Sequence, residues 1–262
     1  MKLPLYQVDA FTQRSFAGNP AAVCLLSQWL ADDVLAAIAA ENNLSETAFV
    51  IPDGDGWQLR WFTPTAEVDL CGHATLATAF VLFHRDPSQT QLRFATREAG
   101  ELRVERRGDT LVMNFPSRPP KPIEMPEGLV AALGGVTPQA VVRASKTMAV
   151  FATEAEVLSI APDFGFIATM EGDGLIITAP GDEVDFVSRY FAPHVGIDED
   201  PVTGSAHCTL TPYWAQRLGR DSLRARQVSA RGGDLQCTLK GDRVELAGQA
   251  VLYLEGTIEV PD

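Results

Sequence analysis

Glu199-Asp200-Pro201-Val202-Thr203-Gly204-Ser205-Ala206-His207-Cys208 sets two acids, a tight turn and the small-residue start of a helix side by side. Val68-Asp69-Leu70-Cys71-Gly72-His73-Ala74-Thr75-Leu76 has the same grammar earlier in the chain. Working outward, Trp61-Phe62-Thr63-Pro64 precedes the first stretch and Tyr190-Phe191-Ala192-Pro193 the second. A long run of small and apolar residues follows each. Phe191 lies 129 residues after Phe62 and Gly204 lies 132 after Gly72, so the second copy carries a slightly longer acidic loop. So long a period indicates a duplicated domain rather than a solenoid. Two copies facing each other would bring two helix N-termini to one cleft. The unpaired N–H groups and partial positive charge there suit a small carboxylate.

The other elements follow from pattern. Leu3–Phe11 and Ala21–Leu26 read as strands, separated by the turn signals of Phe16-Ala17-Gly18-Asn19-Pro20. Val34, Leu35, Ile38 and Ala39 recur at helical spacing within 30–41. Leu44–Ile51 reads as a strand with Glu46 in its interior, where Glu is poorly suited. A turn at Asp53-Gly54-Asp55-Gly56 leads to a strand over 57–62. Gly72–Arg85 is apolar all round, the mark of a buried helix. Strands are expected at 91–95, 100–106 and 110–115. Pro116, Pro119, Pro120, Pro122 and Pro126 then crowd one segment, and the chain is divided there into domains 1–117 and 118–262. The second half repeats the order: strands at 140–143 and 148–152, a short helix at 154–160, a hairpin formed by 164–170 and 175–179, and a strand at 186–191. Gly204–Leu218 is a second buried helix that Pro212 should kink or break. Short strands fill the remainder to Val260.

The composition narrows the function. The 262 residues are 46% hydrophobic, enough for a full core, and carry a net charge of −13. Lys and Arg are scattered, which argues against a nucleic-acid partner. Four cysteines, at 24, 71, 208 and 237, stand in no close pair and read as reduced thiols. Met1–Gln7 has no apolar run of the signal-peptide kind, and no stretch reaches the ~18 apolar residues of a membrane span. A cytoplasmic location is the default expectation.

Several residues have both a chemical and a plain structural reading. Glu46 is a general base or a strand Glu paired with a surface cation. Cys71 is a thiol acidified at a helix start or, preferred on its own, a small buried hydrophobe. Asp200 orients a substrate or caps the helix at Gly204. Gly204 and Ser205 bind an anion or simply pack and cap, and His73 bonds a substrate or a local carbonyl. Cys71-x-His73 with His207-Cys208 does not follow a standard zinc spacing, and Asp198-x-Asp200 lacks the rest of a calcium loop. No Gly-x-Gly-x-x-Gly, Walker or Gly-x-Ser-x-Gly pattern is present.

Four ordered stretches resemble the PhzF family of phenazine-biosynthesis isomerases. They are Phe16-Ala17-Gly18-Asn19-Pro20-Ala21-Ala22-Val23, Leu44-Ser45-Glu46-Thr47-Ala48-Phe49, Leu70–Ala77 and Glu199–Cys208. The resemblance spans essentially the whole chain. It implies an α+β fold like that of diaminopimelate epimerase: two pseudo-symmetric domains, each a curved mixed sheet or barrel around a central buried helix. In such folds the last strand, beyond about Ala250, can cross back to the first domain. The resemblance further implies a cofactor-free, metal-free isomerase that shifts a proton on a small cyclic or unsaturated carboxylate. The family's type member acts on trans-2,3-dihydro-3-hydroxyanthranilate. Glu46 matches the family's proton-shuttling Glu. His73, Asp200 and Ser205 match its other catalytic positions, and Ser45, Gly72 and Gly204 those lining the substrate site. A homodimer is implied as well, while the charge and hydropathy patterns lead us to expect neither a nucleic-acid nor a membrane partner. Cys71 matches one active-site thiol of the related epimerases, but Thr203 stands where the second would be, against two-thiol racemisation. The alternatives are a non-catalytic small-molecule binding protein and a zinc-dependent hydrolase.

Overall fold

A computed structural model of the chain describes residues 1–260. In chain order the elements begin β1 (Lys2–Ala10), β2 (Asn19–Leu25), α1 (Asp32–Asn42), β3 (Glu46–Asp53), β4 (Gly56–Phe62), β5 (Glu67–Val68), α2 (Gly72–Arg85), β6 (Gln91–Ala95), β7 (Glu101–Arg107) and β8 (Thr110–Pro116). They continue with β9 (Lys121–Pro122), α3 (Leu129–Ala132), β10 (Ala140–Arg143), β11 (Thr147–Val150), α4 (Glu154–Ser159), α5 (Phe164–Ala168), β12 (Leu175–Pro180) and β13 (Phe186–Phe191). The last are α6 (Gly204–Leu218), β14 (Ser222–Gln227), β15 (Gly233–Lys240), β16 (Arg243–Gly248) and β17 (Ala250–Glu259). The chain divides into two compact units, Met1–Asn114 with the tail from Ala247, and Phe115–Leu246. Where the sequence reading divided the chain after Ser117, the units part after Asn114, and β17 pairs antiparallel with β1 inside the first.

Each unit has the same order of pairings. In the first, β1–β2 is antiparallel, β2–β3 parallel, β3–β4 antiparallel, β4–β6 parallel and β6–β7 antiparallel. In the second, β10–β11, β11–β12, β12–β13, β13–β14 and β14–β15 alternate in the same way. Parallel neighbours need a crossover, and the helices supply it at matching places: α1 and α2 in the first unit, α4 with α5 and then α6 in the second. The fold is therefore α+β, with one mixed-sheet plan used twice.

The central helix of each unit is buried along nearly its whole length. α2 packs on β1, β2, β3 and β17, and α6 on β14 and β15. Small residues let the strands come close, and the threonines among them need internal partners. Thr75, Thr78 and Thr211 each donate to the carbonyl one turn back, at 2.6, 2.7 and 2.6 Å. α6 runs on through Pro212, and the interruption expected there falls on its hydrogen-bond ladder. A proline leaves the carbonyl four residues earlier without its helical donor. Here the Arg118 N–H fills that place, donating to the Cys208 carbonyl at 2.9 Å.

One expectation is corrected. Residues 164–170 do not form a hairpin with 175–179. Phe164–Ala168 is a helical turn, capped by the Asp163 carboxylate accepting from the Phe166 N–H at 3.1 Å. β12 pairs instead with β11 and β13. No helix among the described residues is long and apolar enough to cross a membrane.

Candidate active site

In the first unit three chain segments converge. The parallel pairing sets Ala21 opposite Glu46, so Asn19 and Glu46 both begin their strands, β2 and β3. Glu46 is thus the first strand residue rather than an interior one, which resolves its poor strand propensity. Ala48 and Val50 continue its strand as buried neighbours. The loop that delivers Asn19 requires Gly18: its φ is +65°, and a Cβ there would lie 2.2 Å from the Ala10 carbonyl oxygen. Asp9 holds the same loop by accepting from the Phe16 N–H at 2.9 Å.

His73 stands in the first turn of α2, after Cys71 at the N-cap and Gly72. Its Nε2 lies 3.1 Å from Glu46 Oε2, and its Nδ1 lies 3.1 Å from the Asn19 amide nitrogen. The Cys71 sulfur is 3.5 Å from Nδ1. With Nδ1 accepting from Asn19, the ring proton sits on Nε2 and faces Glu46. A second proton on Nδ1 requires the Asn19 amide to turn and present Oδ1. The approach of Nε2 to Oε2 is off the line of a straight hydrogen bond, and Glu46 Oε2 is buried without a hydrogen-bond partner among the described residues. Such an orphaned buried acceptor calls for an explanation.

The electrostatics of this group are set by burial and by one carboxylate. Burial works against a charged His73, but the Glu46 carboxylate beside it outweighs this and holds the imidazole well above its ordinary value. Burial, and after it the Glu46 charge, pushes the Cys71 thiol up to about 11. Cys71 is therefore a protonated, buried thiol near neutral pH, not an acidified nucleophile. Ser45 and Gly72 flank the group and are half-buried.

In the second unit the corresponding helix start carries different chemistry. Thr203 takes the N-cap place that Cys71 has in the first unit, and Ser205 the place of His73. Gly174 and Leu175 stand where β12 begins, so no acid corresponds to Glu46. Asp200 is buried and its carboxylate accepts from the Thr203 hydroxyl. Thr203, the N-cap residue, makes no side-chain cap to α6. Gln227, fully buried, locks this loop: it accepts from the Thr203 N–H at 2.9 Å and donates to the Asp200 carbonyl at 2.6 Å. Gly204 is buried and Ser205 half-buried at the first turn.

His207 and Cys208 turn into the packing of their own unit. His207 Nδ1 donates to the Thr203 carbonyl at 2.8 Å, and its ring lies 6.0 Å from that of Phe186. Burial lowers its pKa to about 4 from the ordinary 6.5. The native state therefore refuses a proton that the unfolded chain accepts. Stability from this group is complete above pH ~6.5 and declines as pH falls toward 4, by about 3 kcal/mol in all. Urea unfolding of the wild type and of His207→Asn should show the wild type losing stability more steeply between pH 6.5 and 4. Parallel pH profiles would refute the assignment.

Asn19 and Gln227 are the site residues that reasoning from sequence missed. Asn19 lay within a quoted motif without a role. Nothing in the sequence around Gln227 marked it.

A mixed sheet used twice, each time around a buried helix, is the plan of the epimerase-like folds. The chain belongs to the phenazine biosynthesis-like family PhzC-PhzF, which matches residues 8–256. It is 52% identical over 261 residues to an uncharacterized isomerase of Pseudomonas aeruginosa, covering 99% of this chain and 100% of the relative. The crystal structure of a PhzF-family phenazine biosynthesis protein from Enterococcus faecalis superposes with a TM-score of 0.96 at 45% identity, covering 99% and 100% of the two chains. A hydroxyproline epimerase from Agrobacterium vitis shares the fold alone, at TM-score 0.63 and 10% identity over 100% of this chain and 93% of the other.

Proposed function

We propose that the chain is an isomerase that shifts a proton on a small cyclic or unsaturated carboxylate, with Glu46 as the acid–base and no cofactor. The observation that carries this reading is the buried Glu46 oxygen without a hydrogen-bond partner, 3.1 Å from His73. A proton shift needs one group that takes a proton from carbon and returns it elsewhere on the same molecule, and a carboxyl group does both. His73, supported by Asn19, orients Glu46 and holds a polar group of the ligand. From the family resemblance we carry forward Asp200 and Ser205 as catalytic positions and Ser45, Gly72 and Gly204 as positions that line the substrate site. Kinship with proteins named as isomerases supports the reaction class. From the family resemblance we carry forward a homodimer in the cytoplasm, which size-exclusion chromatography with light scattering and cell fractionation would test.

The test is turnover by chelator-treated enzyme of a panel of unsaturated cyclic carboxylates, trans-2,3-dihydro-3-hydroxyanthranilate included, followed by NMR. Isomerised product is expected from at least one. Tight binding of panel members with no conversion would instead make the chain a binding protein.

One prediction separates this mechanism from a thiol-based one. The first unit offers a thiol pushed up to about 11, and the second has Thr203 at the matching place. Cys71→Ser is therefore expected to keep kcat within about threefold of wild type. A loss as large as that of Glu46→Gln, in a folded variant, would restore a one-thiol mechanism.

A further inference from the structure

His73 meets a different neighbour at each ring nitrogen. Nε2 lies 3.1 Å from the Glu46 carboxylate. Nδ1 lies 3.1 Å from the Asn19 amide nitrogen and 3.5 Å from the Cys71 sulfur. All four residues are more than nine-tenths buried. We propose that Asn19 is a positioning residue whose amide follows the charge of His73, presenting Oδ1 to the imidazolium and Nδ2 to the neutral ring, and that the charged ring is the resting counter-ion of Glu46. The effect on turnover rests on the isomerase reading; the coupling of Asn19 to His73 does not.

The order of partners decides where the charge changes. A ring nitrogen facing a carboxylate keeps its proton, so His73 gains or loses charge at Nδ1. A fixed donor there would oppose the second proton, and a fixed acceptor would oppose its loss. A primary amide offers both, and a half-turn about its last side-chain bond exchanges them. The Cys71 thiol is a poor substitute, because sulfur donates and accepts only weakly. The backbone keeps Asn19 in reach through the turn: it begins β2 opposite Ala10 of β1, behind Gly18 in its left-handed conformation.

The charges around the ring favour the imidazolium. Burial opposes it, but Glu46 holds the imidazole well above its ordinary value. The two charges cancel, and Oδ1 gives the second ring proton the acceptor that a buried charge requires. Cys71, its thiol pushed up to about 11, adds no charge near neutral pH. The strands against α2 bring their own titratable groups, each placed otherwise. Asp9 of β1 accepts from the Phe16 N–H, while Tyr6 bonds Arg85 at the far end of α2. Cys24 of β2 packs in the apolar cluster beside α1. Lys2 of β1, Asp53 of β3, and Tyr253, Glu255 and Glu259 of β17 are exposed.

Nitrogen-15 NMR of the free protein reads both ring nitrogens of His73, identified by the signals lost in His73→Gln. Both should carry protons in wild type near neutral pH. Asn19→Leu, which has no acceptor, should lower the His73 titration midpoint by about one pH unit or more, and Asn19→Asp, a fixed charged acceptor, should raise it. Circular dichroism checks that each variant folds; wild type and Asn19→Asp decide the matter if Asn19→Leu does not. With an accepted carboxylate, the basic limb of kcat/KM should move with the midpoint in each variant, and Asn19→Asp should keep kcat within about tenfold of wild type. A purely structural role predicts lower kcat in both variants with neither midpoint moved, and that result would overturn the proposal. So would a singly protonated His73 in wild type, or midpoints that shift in the same direction. Shifted midpoints beside an unmoved limb would overturn the part played by the charged ring in turnover.

Discussion

Glu46→Gln is expected to lower kcat by about 10²–10⁴-fold, the usual cost of removing a general acid–base, while ligand affinity changes by less than about tenfold. Gln keeps the shape of the side chain and one oxygen, so the contact with His73 Nε2 at 3.1 Å has a neutral replacement. What it lacks is a proton that can leave and return. The second unit has no acid at the matching strand start, because β12 begins with Leu175 after Gly174 where β3 begins with Glu46. Steady-state turnover of an accepted carboxylate, with affinity from isothermal titration calorimetry, checks both halves. A variant that binds and turns over near the wild-type rate would remove Glu46 from the chemistry.

The largest stability effect is expected at Trp214, in the central helix of the second unit. It is fully buried, stacks on Phe186 at 5.7 Å and 4°, and donates from its indole N–H to Thr178 Oγ1 at 3.0 Å. Thr178 in turn donates to the Val187 carbonyl at 2.6 Å, so helix and sheet are joined through one hydroxyl. Trp214→Ala leaves a cavity between α6 and the strands and should cost about 3–5 kcal/mol. Urea unfolding followed by far-ultraviolet circular dichroism measures it. A loss below about 1 kcal/mol would mean that the sheet closes over the gap and that the stack contributes little.

Much of this architecture is legible in the sequence, for physical reasons. The first buried helix, Gly72–Arg85, reads at its exact bounds because a run apolar on every face can only be central. The repeated Phe-x-Pro, loop and Gly pattern announces one plan used twice, because the same pairing order needs the same turns and crossovers. What the sequence leaves unread is of two kinds, long-range and local. Local rules expect Pro212 to kink α6 or break its hydrogen-bond ladder, but only the fold shows that Arg118 fills the stranded carbonyl. Residues 164–170 carry strand-like composition, but Asp163 at the cap turns them into a helix. The site shows the same division. Glu46, Cys71 and His73 are marked by residue type and motif, whereas Asn19 acquires its role from strand register and Gln227 from a contact across 24 residues of chain to Thr203.

The central claim is that Glu46 carries the migrating proton, and solvent labelling during turnover tests it most directly. While it rests on a carboxyl group the proton exchanges with water, so wild-type protein in heavy water should place deuterium on the carbon that gains the proton. The Glu46→Gln variant, saturated with the same ligand for the same time, should place essentially none. Deuterium appearing at that carbon at the wild-type rate in the variant would contradict the account.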